Sequence, residues 1–387
     1  MQGVVSRVRT RRPDTFSGDP ILIEEAGPVG RDLVVLRRVV LPMREGPQHP
    51  AAPGIGGTIM SETQRPASLS TRDVLYEAAR VACLAPSIAN SQPWRWRIRG
   101  DTLELHADRS RQLTDADPQG RSMIISCGAV LHHATVVLAV LGAAATAERI
   151  SDPADPDLLA RLTLTGPHQV TAEDMRLHHA LRTRCTDRRP FLGIGPLPDE
   201  VIDLLRHAAE PFEVSTHALD PSQADLFALV ARSTATVEQH DAGYQDEMPI
   251  WTTRTDATIR DDVPKTAAAS VGDYAPGATP GLAAGPGDDR YTTYLAFTTT
   301  HDTRADWLRT GEALSAVLLT ATTIGLASSV MSDVVEAPDA RATLREEVAP
   351  AEYPQLTVRL GVNESAPAAP LTPRRPYDEV IEVLPTR

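Results

Sequence analysis

Between Pro86 and Pro93 the chain carries Ser87, Asn90, Ser91 and Gln92, and Trp94 closes the stretch. Hydroxyl and amide side chains in this spacing can hydrogen-bond a polar edge without placing a charge beside it. Proline fixes φ and disfavours helix for the residue before it, so Ala85 and Gln92 are expected outside the helical region. The result is a stiff loop that aims Ser87, Asn90 and Gln92 in set directions. Such a loop suits a ligand with a polar edge and an apolar face. It also reads as a plain helix stop followed by an edge strand.

Two other stretches carry the means to hold an anion. One is Arg182-Thr183-Arg184-Cys185-Thr186-Asp187-Arg188-Arg189-Pro190-Phe191, and the other is Thr372-Pro373-Arg374-Arg375-Pro376-Tyr377. Each sets a hydroxyl beside guanidinium groups on a proline-stiffened backbone, which suits charge-assisted hydrogen bonds to phosphate. Each also fits a solvated charged turn. Lys265 is the only lysine, so an anion site must use arginine, whose planar fork takes phosphate oxygens bidentately.

Other chemistries recede. The formal charge of −13 argues against nucleic-acid or anionic-membrane partners. Cys83, Cys127 and Cys185 are far apart, with no CxxC, which points away from a disulfide framework or zinc site and toward a reducing cytosol. His132-His133 and His178-His179 are adjacent, about 100° apart on a helix, so they do not chelate together. They read as structural or surface histidines.

The elements that must position these residues come in two matching sets. From Thr71, the residues Val74, Leu75, Ala78, Ala79, Ala82 and Cys83 form a helical stripe that Pro86 stops. A hairpin is expected over 94–98 and 102–106 around Arg99-Gly100-Asp101, then a long apolar helix over 121–145 and a strand over 162–165. The second set gives a helix over 198–209, a strand over 291–298, a long helix over 306–326 and a strand over 355–360. Gly128 and Gly142 are 14 residues apart, as are Gly311 and Gly325. This order is that of one α/β unit present twice.

Residues 122–147 are uncharged and long enough to span a bilayer. Their polar content, and Glu312 in the matching helix, favour buried core helices instead. The second copy is longer, chiefly through 222–290, with a helical stretch over 222–240 and then a Gly-, Pro-, Ala- and Asp-rich loop. A loop of that length is a lid, a binding segment or disorder. Residues 1–66 read as a poorly ordered extension or as sequence upstream of a start near Met60.

The four segments together resemble the FMN-dependent nitroreductase family, and within it the mycobacterial Acg-like NAD(P)H nitroreductase branch. The resemblance rests on 85–96, on Thr186-Asp187-Arg188-Arg189-Pro190-Phe191, on 311–319 with Gly325-Leu326-Ala327, and on Pro373-Arg374-Arg375-Pro376. It covers nearly everything from Thr71 to Val383. It implies an α+β, nitroreductase-like fold, internally duplicated so that one chain mimics the family's intertwined dimer. The halves would be 67–170 and 171–387, the second with a lid-like insertion over about 241–290. FMN would lie between them. By resemblance Arg184, Thr186 and Arg188 form the first FMN segment, with Arg188 near the ring's N1/O2 edge. Arg374 and Arg375 match the phosphate pair, and Ser87, Asn90 and Gln92 match the loop of the other subunit. Ser332 and Asp333 fall where backbone amides approach flavin N5.

These motifs are not repeated in the opposite sense, so one FMN per chain and a pseudo-dimeric monomer are expected. The implied activity is hydride transfer from NAD(P)H through FMN to a small electron-poor acceptor, a nitroaromatic or quinone, in the cytoplasm. No catalytic acid or base stands out. The alternative is a flavin-storing protein whose long insertion covers the ring.

Overall fold

The computed structural model describes residues 22–25, 37–40, 69–149, 154–191, 195–252, 291–362 and 372–385. Two short strands form a unit of their own: β1 (Leu22–Glu25) pairs antiparallel with β2 (Arg37–Val40), Leu22 opposite Val40. The rest of the expected extension over 1–66, apart from 69–70 onward, lies outside the described residues.

The main unit opens with α1 (Thr71–Ala82), entered through a reciprocal cap between Ser70 and Asp73. The loop expected between Pro86 and Pro93 follows. Next come β3 (Trp94–Arg99), β4 (Thr102–Ala107), α2 (Arg121–Val140), β5 (Ala143–Arg149) and β6 (Leu158–Pro167). Arg99 lies opposite Thr102, so the expected hairpin turns on Gly100 and Asp101, with Gly100 at φ 62°. After α3 (Ala172–Thr183) the second set begins: α4 (Asp199–Ala209), β7 (Ser215–Ala218), α5 (Pro221–Glu238) and α6 (Ala242–Thr252). It continues through β8 (Thr293–Thr299), α7 (Arg304–Thr323), β9 (Ala327–Met331), α8 (Asp333–Glu336), α9 (Pro338–Val348) and β10 (Tyr353–Gly361). The chain then reaches α10 (Tyr377–Val380) and β11 (Ile381–Val383).

The two sets of elements build sheets of the same strand order. One has the order β3-β4-β6-β5 and the other β7-β8-β10-β9, all antiparallel. Each set therefore runs first, second, fourth, third in chain order. The first sheet gains one more strand, because β11 lies parallel to β3, with Ile381 opposite Trp96. The C-terminal segment thus completes the first sheet.

α2 and α7 pack on each other, each also against its own sheet. They cross at the glycines that marked the repeat. A Cβ on Gly128 would lie 2.0 Å from the Leu308 carbonyl oxygen, and one on Gly311 would lie 1.9 Å from that of Ile125. The two positions mirror each other, since Leu308 and Ile125 each precede their glycine by three residues. Only glycine lets the backbones meet this closely. α2 has the length and apolarity of a membrane span but is 78% buried within the protein, as a core helix is.

Two expected boundaries move. The helix expected to reach 145 stops at Val140, because Gly142 takes φ 75° and the alanine-rich segment behind it pairs with β6 as β5. The other long helix ends at Thr323 in place of 326, before Gly325 at φ 81°. Ala favours helix intrinsically, and sheet pairing overrides that preference here.

Candidate functional site

The loop after α1 is held in a conformation that its residue types do not favour. Ala89, Asn90 and Gln92 have φ of 43°, 51° and 49°, the left-handed region that non-glycine residues enter at a cost. Gln92 is outside the right-handed helical region, as the following proline requires. Hydrogen bonds fix the shape. Ser87 Oγ accepts from the Gln92 N–H (2.9 Å), and Ser126 Oγ on α2 accepts from the Ile88 N–H (3.1 Å). The Arg111 guanidinium donates to the Ser91 carbonyl.

The C-terminal segment locks the same loop from outside. Asn90 Nδ2 donates to the Pro373 carbonyl (3.2 Å), and the Arg375 N–H donates to Gln92 Oε1 (2.9 Å). Arg375 also donates to the Gln92 carbonyl (3.0 Å) and pairs with the buried Asp108 (3.3 Å). Gln92 is fully buried, and its amide donates to the Asn90 carbonyl (3.3 Å). Asn90, Gln92 and Arg375 therefore build the loop, and Ser87 is the member of the set that lines the adjoining cavity.

That cavity opens to solvent between the loop and the second sheet. Its walls come from both halves: Ser87 and Ile88 from the loop, Ser122, Ile125 and Ser126 from α2, Leu314 from α7, Val330 from β9 and Leu356 from β10. Thr186, Arg188, Ser332 and Asp333 line it too. Five of the ten expected site residues thus meet on one cavity.

The segment after α3 explains how Thr186 and Arg188 get there. Thr186 bridges to Ser328 of β9, and the Asp187 N–H donates to the Ser328 carbonyl (2.9 Å). In extended chain alternate residues share a side. Thr186 and Arg188 face the cavity. Asp187 and Arg189 form a buried bidentate pair (2.8 and 2.7 Å), and Arg359 ties both their carbonyls (3.0 and 2.9 Å). Arg184, also extended at φ −60° and ψ 127°, is two residues before Thr186.

Arg184 is the least balanced charge near the site. It is 6% exposed, and its Nε and Nη1 are buried without a hydrogen-bond partner. Burial holds its pKa below the ordinary value. Arg374 is pushed down to about 10 by burial, with repulsion from Arg184 adding to it. Its guanidinium donates to the Cys83 and Leu84 carbonyls (both 2.9 Å) and to Thr372. Burial, then the same two arginines, holds the fully buried His133 well below its normal value, and its Nε2 is unpartnered. His133 Nδ1 and His132 Nδ1 both meet Ser315 Oγ at 2.8 Å. The expectation of structural histidines holds for their contacts, but not for the electrostatics of His133.

The insertion expected over 241–290 contributes a wall to the cavity. Tyr244 and Met248 of α6 line the cavity. α6 is fixed by Glu247, whose carboxylate accepts from the N–H groups of Thr114, Asp115 (3.0 Å) and Ala116 (2.9 Å). Arg111 stacks over Trp251 at 5.3 Å. The remainder of the expected lid, 253–290, lies outside the described residues.

At the position related by the repeat, the second half of the pattern is filled. Arg149 stands at the same spacing from Gly142 as Ser332 from Gly325. It pairs with Glu312, 2% exposed, at 2.7 Å. Phe212 packs edge-on against His132 with centroids 5.4 Å apart.

No protein-family model matches the chain. It is 33% identical over 329 residues to the "Putative NAD(P)H nitroreductase acg" of Mycobacterium tuberculosis, covering 82% of this chain and 98% of that protein. A second protein of that organism, "Putative NAD(P)H nitroreductase Rv3131", is 36% identical over 345 residues, covering 86% of this chain and 96% of its own. Among solved structures, a nitroreductase with bound FMN from Desulfitobacterium hafniense aligns at 10% identity with a TM-score of 0.36, over 54% of this chain and 98% of that one. A structure titled "putative nitroreductase" from Anabaena variabilis aligns at 11% identity with a TM-score of 0.38, over 76% of this chain and 74% of that one.

Proposed function

The chain belongs to the nitroreductase family of the mycobacterial Acg proteins, and from that premise we propose that it is an FMN-binding NAD(P)H oxidoreductase. Bound FMN supplies hydride transfer between NAD(P)H and a small electron-poor acceptor such as a nitroaromatic or a quinone. The single observation that carries the reading is the buried Arg184. Two of its nitrogens have no partner, its charge repels Arg374, and it lies two residues before the cavity-lining Thr186. A buried cation without a counter-charge is costly, and a phosphate dianion meets the need of both arginines.

The remaining parts fit the rest of such a ligand. Thr186 and Ser87 offer hydroxyls, while Ile125, Leu314, Val330 and Leu356 give apolar walls for a flat ring. Arg188 on the cavity wall would favour negative charge on the N1–C2=O edge. Ser332 and Asp333 edge the same space. Asn90, Gln92 and Arg375 act one step back, by holding the loop. The Arg149–Glu312 pair and Phe212 fill the repeat-related position, which supports one FMN per chain in a pseudo-dimeric monomer. The reading sets the work in the cytoplasm, where NAD(P)H is supplied.

The test is the visible spectrum of the purified protein before and after anaerobic NADPH, with light scattering for mass. One flavin per chain, bleached by NADPH, is expected. Absence of flavin binding even after adding FMN would overturn the reading. The docking of α6 by Glu247 favours one alternative, a flavin store with little turnover. That alternative predicts flavin bleached by dithionite but not by NADPH, and recovery of NADPH bleaching in Glu247→Ala.

A further inference from the structure

One hydroxyl in the cavity wall has its proton committed elsewhere. Ser122, in the first turn of α2, lines the cavity and is 3% exposed. Its Oγ donates to Glu336 Oε1, at the end of α8. The same carboxylate oxygen pairs with the buried Arg121 guanidinium at 2.8 Å. Glu336 enters that ion pair as a carboxylate, which offers only lone pairs, so the proton between the two oxygens belongs to Ser122. Ser122 therefore has only lone pairs left for the cavity. Ser87 has the opposite polarity. Its Oγ accepts from the Gln92 N–H, and among the described residues its own proton meets no acceptor.

The two hydroxyls are held as a pair. Ser126 follows Ser122 by one turn on the same face of α2. Its Oγ donates to the Ser122 carbonyl (2.7 Å) and accepts from the Ile88 N–H (3.1 Å), next to Ser87 in the chain. Ser126 is thus spent on the scaffold, whereas Ser87 and Ser122 keep a donor and an acceptor for the cavity. Resting on the oxidoreductase reading above, we propose that Ser122, held by Glu336, is a specificity-determining residue. It accepts a hydrogen bond from an amide N–H of the ligand, and Ser87 donates to the carbonyl beside that N–H. Two ligands of the proposed reaction carry such an edge: the imide of the flavin ring and the carboxamide of nicotinamide. A carboxylate in place of the N–H sets lone pair against lone pair and is rejected.

The test is binding, measured without turnover. Flavin-free protein is titrated with FMN and with 3-deaza-FMN, which carries C–H in place of the ring imide N–H. FMN-loaded protein is titrated calorimetrically with NADP+ and with its nicotinic-acid counterpart. In wild type one of the two pairs should differ in Kd by about 5- to 150-fold, the effect of one unmet buried hydrogen bond. Ser122→Ala should close that gap, and Ser122→Thr should keep it. Closure in the flavin pair assigns Ser122 to the ring imide, and closure in the nucleotide pair assigns it to the carboxamide. Glu336→Gln should narrow the same gap although Glu336 does not line the cavity, because its amide can donate to Ser122 and free the hydroxyl proton. No gap in wild type, a gap retained in Ser122→Ala, or one untouched by Glu336→Gln overturns the proposal alone; where Glu336→Gln does not fold, Ser122→Ala decides. Protein that takes up neither flavin overturns the oxidoreductase reading with it.

Discussion

Replacing Arg184 by methionine should make the flavin-free protein more stable and the flavin-loaded protein less so. Arg184 is 6% exposed, and two of its guanidinium nitrogens have no hydrogen-bond partner. Each unsatisfied buried donor costs roughly 1–3 kcal/mol, more on a charged group. Methionine keeps the stem's apolar contacts and removes both donors and the charge. A gain of about 2–5 kcal/mol in urea unfolding of the apoprotein follows, less any loss from imperfect packing. FMN at a hundred times its Kd should stabilise wild type by about 2.7 kcal/mol. In Arg184→Met at the same FMN concentration that increment should largely disappear. Equilibrium unfolding with and without FMN, fitted for midpoint and slope, reads both effects. An apoprotein destabilised by the change, together with undiminished FMN stabilisation, would refute the reasoning, because Arg184 would then be a structural residue.

Further outcomes follow from the same geometry. Gly311→Ala should lower stability by about 1–3 kcal/mol or more, since its Cβ would lie 1.9 Å from the Ile125 carbonyl oxygen; wild-type urea unfolding would mean that α2 and α7 can part freely. Glu247→Gln should speed hydrogen exchange and proteolysis within 242–252 while global unfolding changes little, because its carboxylate serves three backbone N–H groups of the neighbouring loop. Burial would raise Asp302, but hydrogen bonds from Arg341, Trp307 and Gln355 hold it at about 2, against an ordinary 3.8. Its contribution is therefore complete above about pH 4 and is lost as pH falls through 2, and acid unfolding of Asp302→Asn should be flatter over that interval. Arg375→Ala should destabilise the protein even without FMN, by leaving the buried Asp108 short of a partner, whereas Arg374→Ala should chiefly raise the Kd for FMN.

The parts of the site that could be read from sequence are those where residue type alone restricts the backbone. Pro86 and Pro93 delimit a stiff loop, and the equal spacing of Gly128 and Gly142 and of Gly311 and Gly325 marks the repeated order of elements, whereas Arg184, Thr186 and Arg188 come from the family resemblance. What stayed hidden depends on distant partners. β5 reads as helix because alanine dominates it, and only pairing with β6 makes it a strand. The hydrogen bonds that join Asn90 to Pro373 and Gln92 to Arg375 cross more than 280 residues of chain, and no local pattern announces them. The insertion expected as a lid over 241–290 reaches the cavity through Tyr244 and Met248, but its helix α6 stayed hidden because Pro249 lies within it, and nothing local ties Glu247 to residues 114–116.

The parallel pairing of β11 with β3 has a consequence for the order in which the protein is made. A ribosome releases Trp94–Arg99 nearly 300 residues of synthesis before Ile381–Val383 can reach it. Throughout that interval the first sheet has an open edge, and the Pro86–Pro93 loop lacks the segment that bends it. A nascent chain stalled before residue 372 could fold much of both sheets and still have no formed flavin loop. On the proposed reading of the site, cofactor capture waits until translation has passed Arg374 and Arg375, and flavin retention becomes a check that synthesis went to that point.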